Sequence, residues 1–557
     1  MNMKKISILL FAFLVILQVN AQENYKNGVV VSAHPEASKV GVEILKQGGN
    51  AIDASIAVQF ALAVVYPNAG NIGGGGFLVY RDNKGNVDAL DYREKAPLAA
   101  KEDMYWGKDG NAITDLSLYG QLAAGVPGTV DGMVKAHKKY GKLSWKKLVQ
   151  PAIDLAEKGF PITQMQANEL TNKHNDFIKY NANKNALTSK SYWVKGDLLI
   201  QKDLANTLKL VQQKGRKGFY DGKVANLIVK EMNRGNGIIT KEDLKQYQSV
   251  WRSPVTGNYK DFKIISMPPP SSGGIALISL FQSVEKYPLK QWGFQSEKTV
   301  QVMVEAERRV YADRAEHLGD PDFVKVPQTQ LLNKEYNVNR MNNLSFDRAS
   351  KSSEIKAGEM IGKESMETTH YSIVDKDGNA VSVTTTLNGS YGSLVVVDGA
   401  GFLLNNEMDD FSVKPGTPNL YGLVGGKANA IAPSKRMLSS MSPSILEKDG
   451  KLYMVVGTPG GSTIITSVFQ TILNVLEFGM TMQEAVAAPR FHHQWLPDRV
   501  DVESNAIHKS VRDVLTKKGY ELKERSAYGR VEGILVNTDV TYQAGADPRG
   551  DDKAEGY

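Results

Sequence analysis

This chain of 557 residues contains no cysteine. The absence excludes disulfides, thiolate metal sites, a thiol nucleophile and an acylated cysteine anchor. It does not weaken the fold, because a chain this long that is 42% hydrophobic and 23% charged has ample apolar surface to bury without covalent staples. Long apolar runs are missing beyond residue 21. The best candidate, Ile52 to Tyr66, is interrupted by Asp53 and Gln59, falls short of the roughly 20 residues needed to span a bilayer, and reads as a buried core helix. No Gly-x-Ser-x-Gly elbow and no His-Glu-x-x-His occurs. None of the eight histidines has metal-ligand spacing, and the adjacent His492 and His493 point apart on any regular element. The glycine run Gly73 to Gly76 is not followed by Gly-Lys-Ser/Thr, so it is no phosphate loop, and close backbone packing accounts for it better. Basic residues cluster only mildly, at Lys138 to Lys147 and Lys209 to Lys217, without interleaved aromatics. The formal charge of +7 therefore describes a solvated basic surface rather than a nucleic-acid groove.

What is present begins with a leader. Lys4 and Lys5 precede an apolar run from Ile6 to Leu17, and Val19-Asn20-Ala21 supplies small residues at cleavage spacing. Residues 1–21 thus read as a secretory signal peptide cut near Ala21 and Gln22, and the mature protein is expected in the periplasm or outside the cell, free of the membrane. Val29 to Ser32 reads as a strand, Ser38 to Leu45 as a helix ended by Gly48-Gly49-Asn50, and Ile52 to Val65 as a second helix. Phe77 to Arg81 returns as a strand, and a hairpin through Asn83-Lys84-Gly85-Asn86 delivers Asp91-Tyr92-Arg93-Glu94 at its far end. From 101 to 366 the periodicity is mostly helical, closing with Lys351 to Glu364 as an exposed polar connection. Val395 to Leu404 is β-rich, Asn405 to Asp410 is a polar turn, and Pro415 to Ala432 is a loop of a length that usually has a job. Ile445 to Val456 forms a hairpin around Lys448-Asp449-Gly450, and Thr458-Pro459-Gly460-Gly461-Ser462 opens a helix from Thr463 to Phe478. Length alone suggests about two to four domains. No repeat period or linker marks a boundary, and helix-rich segments around two strand-rich ones predict sheet layers between helix layers.

Residues 367 to 388 are the centre of this pattern. Two β-prone runs flank the turn signal Asp377-Gly378, with hydroxyl residues at both outer ends. Such hydroxyls alone are only polar punctuation. Yet Thr368-Thr369-His370-Tyr371-Ser372, the hairpin and Leu387-Asn388 resemble the start of the small subunit of γ-glutamyltransferases, the γ-glutamyltranspeptidase family. The same resemblance runs through Tyr66 to Phe77, Ala124 to Gly128, Pro268 to Gly274, Leu403 to Ser412, Pro489 to Trp495 and Asp547-Pro548-Arg549. It implies an α+β protein with the four-layer αββα sandwich of N-terminal-nucleophile hydrolases. It also implies self-cleavage between Glu367 and Thr368 into a large fragment, 22–367, and a small one, 368–557, which pair as one catalytic domain. The chemistry suits the residue. A threonine hydroxyl is a poor nucleophile without a base, and the α-amine of an N-terminal threonine, with a reference pKa of about 7.7–8, is a base on the same residue.

The resemblance extends to the rest of the site. Thr386 would hydrogen-bond the Thr368 hydroxyl, and Asn388 would meet the substrate. Arg93 suits the α-carboxylate of a γ-glutamyl group by bidentate pairing, with Ser439 and Ser440 as further donors. Glu407 and Asp410 hold the α-ammonium; many bacterial members have Gln where this chain has Glu407, which implies altered affinity rather than lost activity. The N–H groups of Gly460 and Gly461 suit an oxyanion hole, and Tyr421 belongs to a lid over the site. The implied substrates are glutathione and other γ-glutamyl compounds, with water, amino acids or dipeptides as acceptors; no cofactor or metal is called for. Two rivals stand beside this expectation: a cephalosporin or glutaryl acylase of the same superfamily, and a non-catalytic exported binding protein on a decayed scaffold. The lid-like loop argues against the first, and the intact nucleophile and clamp against the second.

Overall fold

The computed structural model describes residues 22–355, 367–414 and 427–557. The leader (1–21), residues 356–366 and residues 415–426, with Tyr421, lie outside the described residues. No helix among the described residues is long and apolar enough to cross a membrane.

The apolar residues sort by strand period. In Val29–Ser32 the side chain of Val30 faces one core and those of Val29 and Val31 another, as a two-residue repeat requires. With Val30 go Leu78, Tyr371, Ile373, Val381 and Val383, which pack against the helices Pro35–Lys46, Ala51–Val65, Trp145–Lys158 and Lys202–Lys214. With Val29 and Val31 go Phe77, Val79 and Val374, which meet a second sheet and, beyond it, the helices Gly273–Val284, Glu297–His317 and Thr463–Leu476. The layers are therefore helix, sheet, sheet, helix: the αββα sandwich of the expected α+β class.

Both sheets have seven strands, paired antiparallel throughout. The first runs, edge to edge, Lys553–Gly556, Val29–Ser32, Glu367–Val374, Ala380–Asn388, Gly75–Arg81, Val87–Asp91 and Val250–Arg252. The second runs Asn24–Tyr25, Tyr542–Ala546, Glu532–Val536, Lys451–Gly457, Ser444–Lys448, Phe262–Ser266 and Val255–Tyr259. Each sheet draws strands from both sides of Glu367–Thr368. The hairpin 367–388 lies at the middle of the first sheet.

Ala51–Val65 is buried along its whole length, which fits a helix apolar on all faces. Two of its three polar side chains, Asp53 and Gln59, are satisfied by distant groups, while the Ser55 hydroxyl has no hydrogen-bond partner. Asp53 completes a capping box with Asn50 and accepts N–H bonds from Lys142 and Leu143. Gln59 donates to the Asn71 carbonyl (3.0 Å) and to Thr385 Oγ1 (3.3 Å), tying the helix to the central hairpin.

Three expectations are corrected and one is extended. The segment 101–366 is mostly helical where it is described, and it also carries the strands Val250–Arg252, Val255–Tyr259 and Phe262–Ser266, missed because the last two are joined by a tight turn on Lys260 (φ 51°) with no glycine to flag it. Val395 to Leu404 carries only an isolated bridge between Val396 and Leu403, since left-handed backbone at Leu394, Gly399 and Gly401 interrupts a ladder. Asn405 to Asp410 is not a solvated turn but is buried throughout. The connection from Lys351 is anchored where it is described: Ser352 and Ile355 are buried, and Trp495 Nε1 donates to both their carbonyls.

A buried ion pair ties the sheets together at the end away from Thr368. Arg81 Nε donates to Glu447 Oε1 (2.7 Å) and Nη2 to the Gly450 carbonyl (2.8 Å). Arg81→Ala leaves Glu447 with only the half-exposed Lys263 and is expected to cost about 3 kcal/mol. A urea midpoint equal to that of the wild type contradicts this role.

Candidate active site

Thr368 sits where the central ladder slips. Glu367 pairs with Asn388 and Thr369 with Thr385, so Thr386 and Leu387 together stand opposite Thr368 alone. This is a bulge in the returning strand, a feature that re-aims side chains next to sites. It is completed by Asn388 in left-handed backbone (φ 72°), which asparagine tolerates better than most residues. The Asn388 N–H donates to Thr386 Oγ1 (2.7 Å), and its Nδ2 donates to the Asn406 carbonyl (2.9 Å). Thr368 is 6% exposed and opens into a cleft of about 420 Å³ shared with Tyr66, Pro459, Gly460, Thr463 and Tyr528.

The glycine run explains how three segments converge. A Cβ on Gly74 would come within 2.1 Å of the Thr386 carbonyl, and one on Gly75 within 2.5 Å of the Tyr92 carbonyl and 2.7 Å of Glu94 Oε2. Only a residue without a side chain lets the hairpin 367–388 and the segment Tyr92–Glu94 approach the same strand end.

Gly460 (φ 135°) and Gly461 (φ 56°) precede the helix Thr463–Leu476. Its cap residue Ser462 makes no side-chain cap bond and donates its hydroxyl to Gln494 Oε1 instead (2.7 Å). The Thr463 and Ile464 N–H groups donate to the Gly460 and Gly461 carbonyls (3.1 and 3.0 Å), which tightens the turn ahead of the helix.

Arg93 is buried at 1% exposure and crowded by acids. Its Nη1 lies 2.6 Å from Glu407 Oε2 and 3.6 Å from Glu94 Oε2, while Nη2 pairs with Asp410 and donates to the Leu438 carbonyl (3.2 Å). Three buried carboxyls thus surround one guanidinium. Burial pushes Glu94 up to about 8 against the pull of Arg93, and burial likewise raises Glu407 well above the usual carboxylate range. Neither oxygen of Glu94 has a hydrogen-bond partner. The pocket is short of positive charge and suited to bind a cation carrying N–H donors.

The structure brings Arg93, Glu407 and Asp410 into direct contact and places Ser439 one residue beyond Leu438, whose carbonyl Arg93 holds. Ser439 Oγ accepts the Met441 N–H (3.2 Å), and Ser440 Oγ accepts from Arg314 Nη2 (3.2 Å). Asn388 bridges the two groups, because its partner Asn406 adjoins Glu407. Sequence reasoning missed Glu94, Asn406 and Arg314. Only Glu94 left a signal, an acidic side chain beside Arg93 at the closed end of an apolar strand.

A sequence profile described as Gamma-glutamyltranspeptidase matches residues 37–557. The chain is 47% identical to the glutathione hydrolase proenzyme of Escherichia coli over 96% of its own length and 92% of that protein's. It is 50% identical to the glutathione hydrolase proenzyme of a Pseudomonas species over 92% and 89% respectively. Among solved structures, the cephalosporin acylase of Bacillus halodurans superposes with a TM-score of 0.85 at 25% identity, covering 96% of this chain and 97% of that one.

The crowded carboxyls give a measurable pH dependence. With Glu94 at about 8 in the folded protein and near 4.3 when unfolded, the native state binds the extra proton between those values. Stability contributed by the protonated form is full below the unfolded pKa and is lost as pH rises toward 8. Glu94→Gln should therefore melt above the wild type at pH 8.5, with the gap closing at pH 5. A gap that is the same at both pH values sinks the assignment.

Proposed function

This chain belongs to the γ-glutamyltranspeptidase family, and on that premise we infer that it is a glutathione hydrolase and γ-glutamyltransferase acting through Thr368. In the uncut chain Thr368 Oγ attacks the Glu367 carbonyl. The C–N bond breaks as the amide nitrogen takes the hydroxyl proton, and water hydrolyses the resulting ester. Glu367 is released as a carboxylate, and Thr368 is left with a free hydroxyl and a free α-amine. The name proenzyme carried by the relatives is consistent with such a step.

In turnover the α-amine accepts the Oγ proton while Oγ attacks the γ-carbonyl of the donor. The N–H groups of Gly460 and Gly461 stabilise the oxyanion, Thr386 orients the nucleophile, and the leaving amine departs with the proton. Water or an acceptor amine then takes the γ-glutamyl group from the ester. Arg93, assisted by Ser439 and Ser440, binds the α-carboxylate. The donor's α-ammonium supplies the positive charge that Glu94, Glu407 and Asp410 lack, and Asn388 meets the donor. Fragments 22–367 and 368–557 stay paired as one catalytic unit, which works in the periplasm or outside the cell after the leader is removed.

The placement of Thr368 carries this conclusion: a buried threonine at a register break, opposite Thr386, in one cleft with Gly460. The acylase alternative is not favoured, since the two glutathione hydrolase proenzymes above are 47% and 50% identical, whereas an acylase ACY 1 proenzyme of a Pseudomonas species is 35% identical.

Intact mass of the purified protein should give the two fragments 22–367 and 368–557, and Thr368→Ala a single chain. A wild type that stays whole and inactive on γ-glutamyl anilide overturns the mechanism. Arg93→Lys, which keeps the charge but loses the bidentate fork, should raise KM for glutathione about 10- to 100-fold. An unchanged KM removes Arg93 from the donor site.

A further inference from the structure

The cleft at Thr368 has a charge that the donor clamp does not explain. Arg525, Arg530 and Arg549 line it, and among its described lining residues there is no acidic side chain. Two of these arginines are held by the fold. Arg530 Nε pairs with Asp552 (2.7 Å) while Nη2 donates to the Ala33 carbonyl (3.0 Å). Arg549 is gripped by Glu503 (2.6 Å) and Asp547 (3.0 Å).

Arg525 differs. Its contact with a carboxylate is loose, Nη1 to Asp501 Oδ2 at 3.5 Å, and Asp501 is already held by Arg499 at 2.8 Å. One carboxylate serves two guanidinium groups, so a positive charge is left over at the cleft wall. The guanidinium of Arg525 stands 4.5 Å from the centroid of the Tyr528 ring, itself part of that wall, and the side chain remains 22% exposed. It is positioned by stacking rather than consumed by pairing.

This inference rests on the proposed acyl transfer at Thr368. The segments meeting Arg93 are 407–410 and 437–438, whereas those lining the cleft are 459–463 and 525–530. The α-amino-acid end of the donor and the amine end thus have separate walls. We propose that Arg525 binds the free C-terminal carboxylate of the peptide on the amine side of the scissile bond. In hydrolysis that peptide is the departing cysteinylglycine of glutathione. In transfer it is the arriving dipeptide, since by microscopic reversibility leaving and attacking amines occupy one place. A dipeptide reaches about 7 Å when extended, and 420 Å³ is within the range of small-ligand sites.

The test compares ligands that differ only in that carboxylate: glutathione against its C-terminal amide as donors, and glycylglycine against glycylglycinamide as acceptors from γ-glutamyl-p-nitroanilide. Each ratio of kcat/KM is internal to one protein, so a general loss of activity cancels, and self-cleavage of each variant reports that it folded. The wild type should prefer the acid about tenfold, as expected for a partly exposed charge-assisted pair. Arg525→Gln should bring both ratios to about one, and Arg525→Lys should restore part of the preference. A wild-type ratio of one, or a ratio in Arg525→Gln equal to that of the wild type, overturns the assignment. A change in only the donor or only the acceptor series overturns the shared subsite. An active enzyme with unchanged ratios refutes Arg525 alone, whereas a wild type inactive on every γ-glutamyl donor refutes the parent function with it.

Discussion

Everything at this site depends on the antiparallel pairing of Glu367–Val374 with Ala380–Asn388 at the centre of the first sheet. A strand that is to be opened by its own side chain must not lose its place when it is opened. Beyond Thr368 the strand is bonded on both flanks: Thr369 to Val374 pair with Ala380 to Thr385, and Tyr371 to Val374 pair with Val29 to Ser32. On the other side of the bond, among the described residues, Glu367 pairs with Asn388. Severing 367–368 would thus leave the strand that begins at Thr368 fixed. The space between the sheets supports this further, since His370 bonds Thr384 and Ser372, Ser372 bonds the Glu532 carbonyl and Ser444 bonds Ser382. Burial holds His370 neutral, down at about 3, so these bonds persist at ordinary pH.

Two walls of opposite charge excess meet at that strand end. On one side a single guanidinium faces three buried carboxyls. On the other, arginines line a cleft that has no acidic residue among its described lining. Low-dielectric surroundings strengthen both imbalances, and a molecule with an ammonium at one end and a carboxylate at the other complements both. In the absence of such a molecule Arg93 is neutralised by its own neighbours, which protects a buried charge at the expense of a strained set of acids.

Much of this was legible in the chain. Asp377-Gly378 and Asp449-Gly450 marked their hairpins because a tight reversal needs left-handed backbone at a defined position, and Gly378 (φ 81°) and Gly450 (φ 72°) supply it. The uninterrupted apolar pattern of Ile52 to Val65 marked a buried helix. Where local signals were absent or misleading, the reading failed. The turn at Lys260 has no glycine, and Val395 to Leu404 has strand-forming residues on a backbone bent by Leu394, Gly399 and Gly401. Asn405 to Asp410 looks like a polar turn yet is buried, with Asn405 Nδ2 donating to the Gly73 and Gly125 carbonyls and Glu407 and Asp410 paired with Arg93.

The sequence by itself determined the family and the layer order, since these follow from matching strings and from period. Only the tertiary structure decided that the hydroxyl sits at a register slip, that Glu94 joins the acids around Arg93, and that Arg525 is left with uncompensated charge. Each of those is a property of distances between residues far apart in the chain. Charge balance in a buried site is a sum over neighbours, and no local pattern of residues contains it.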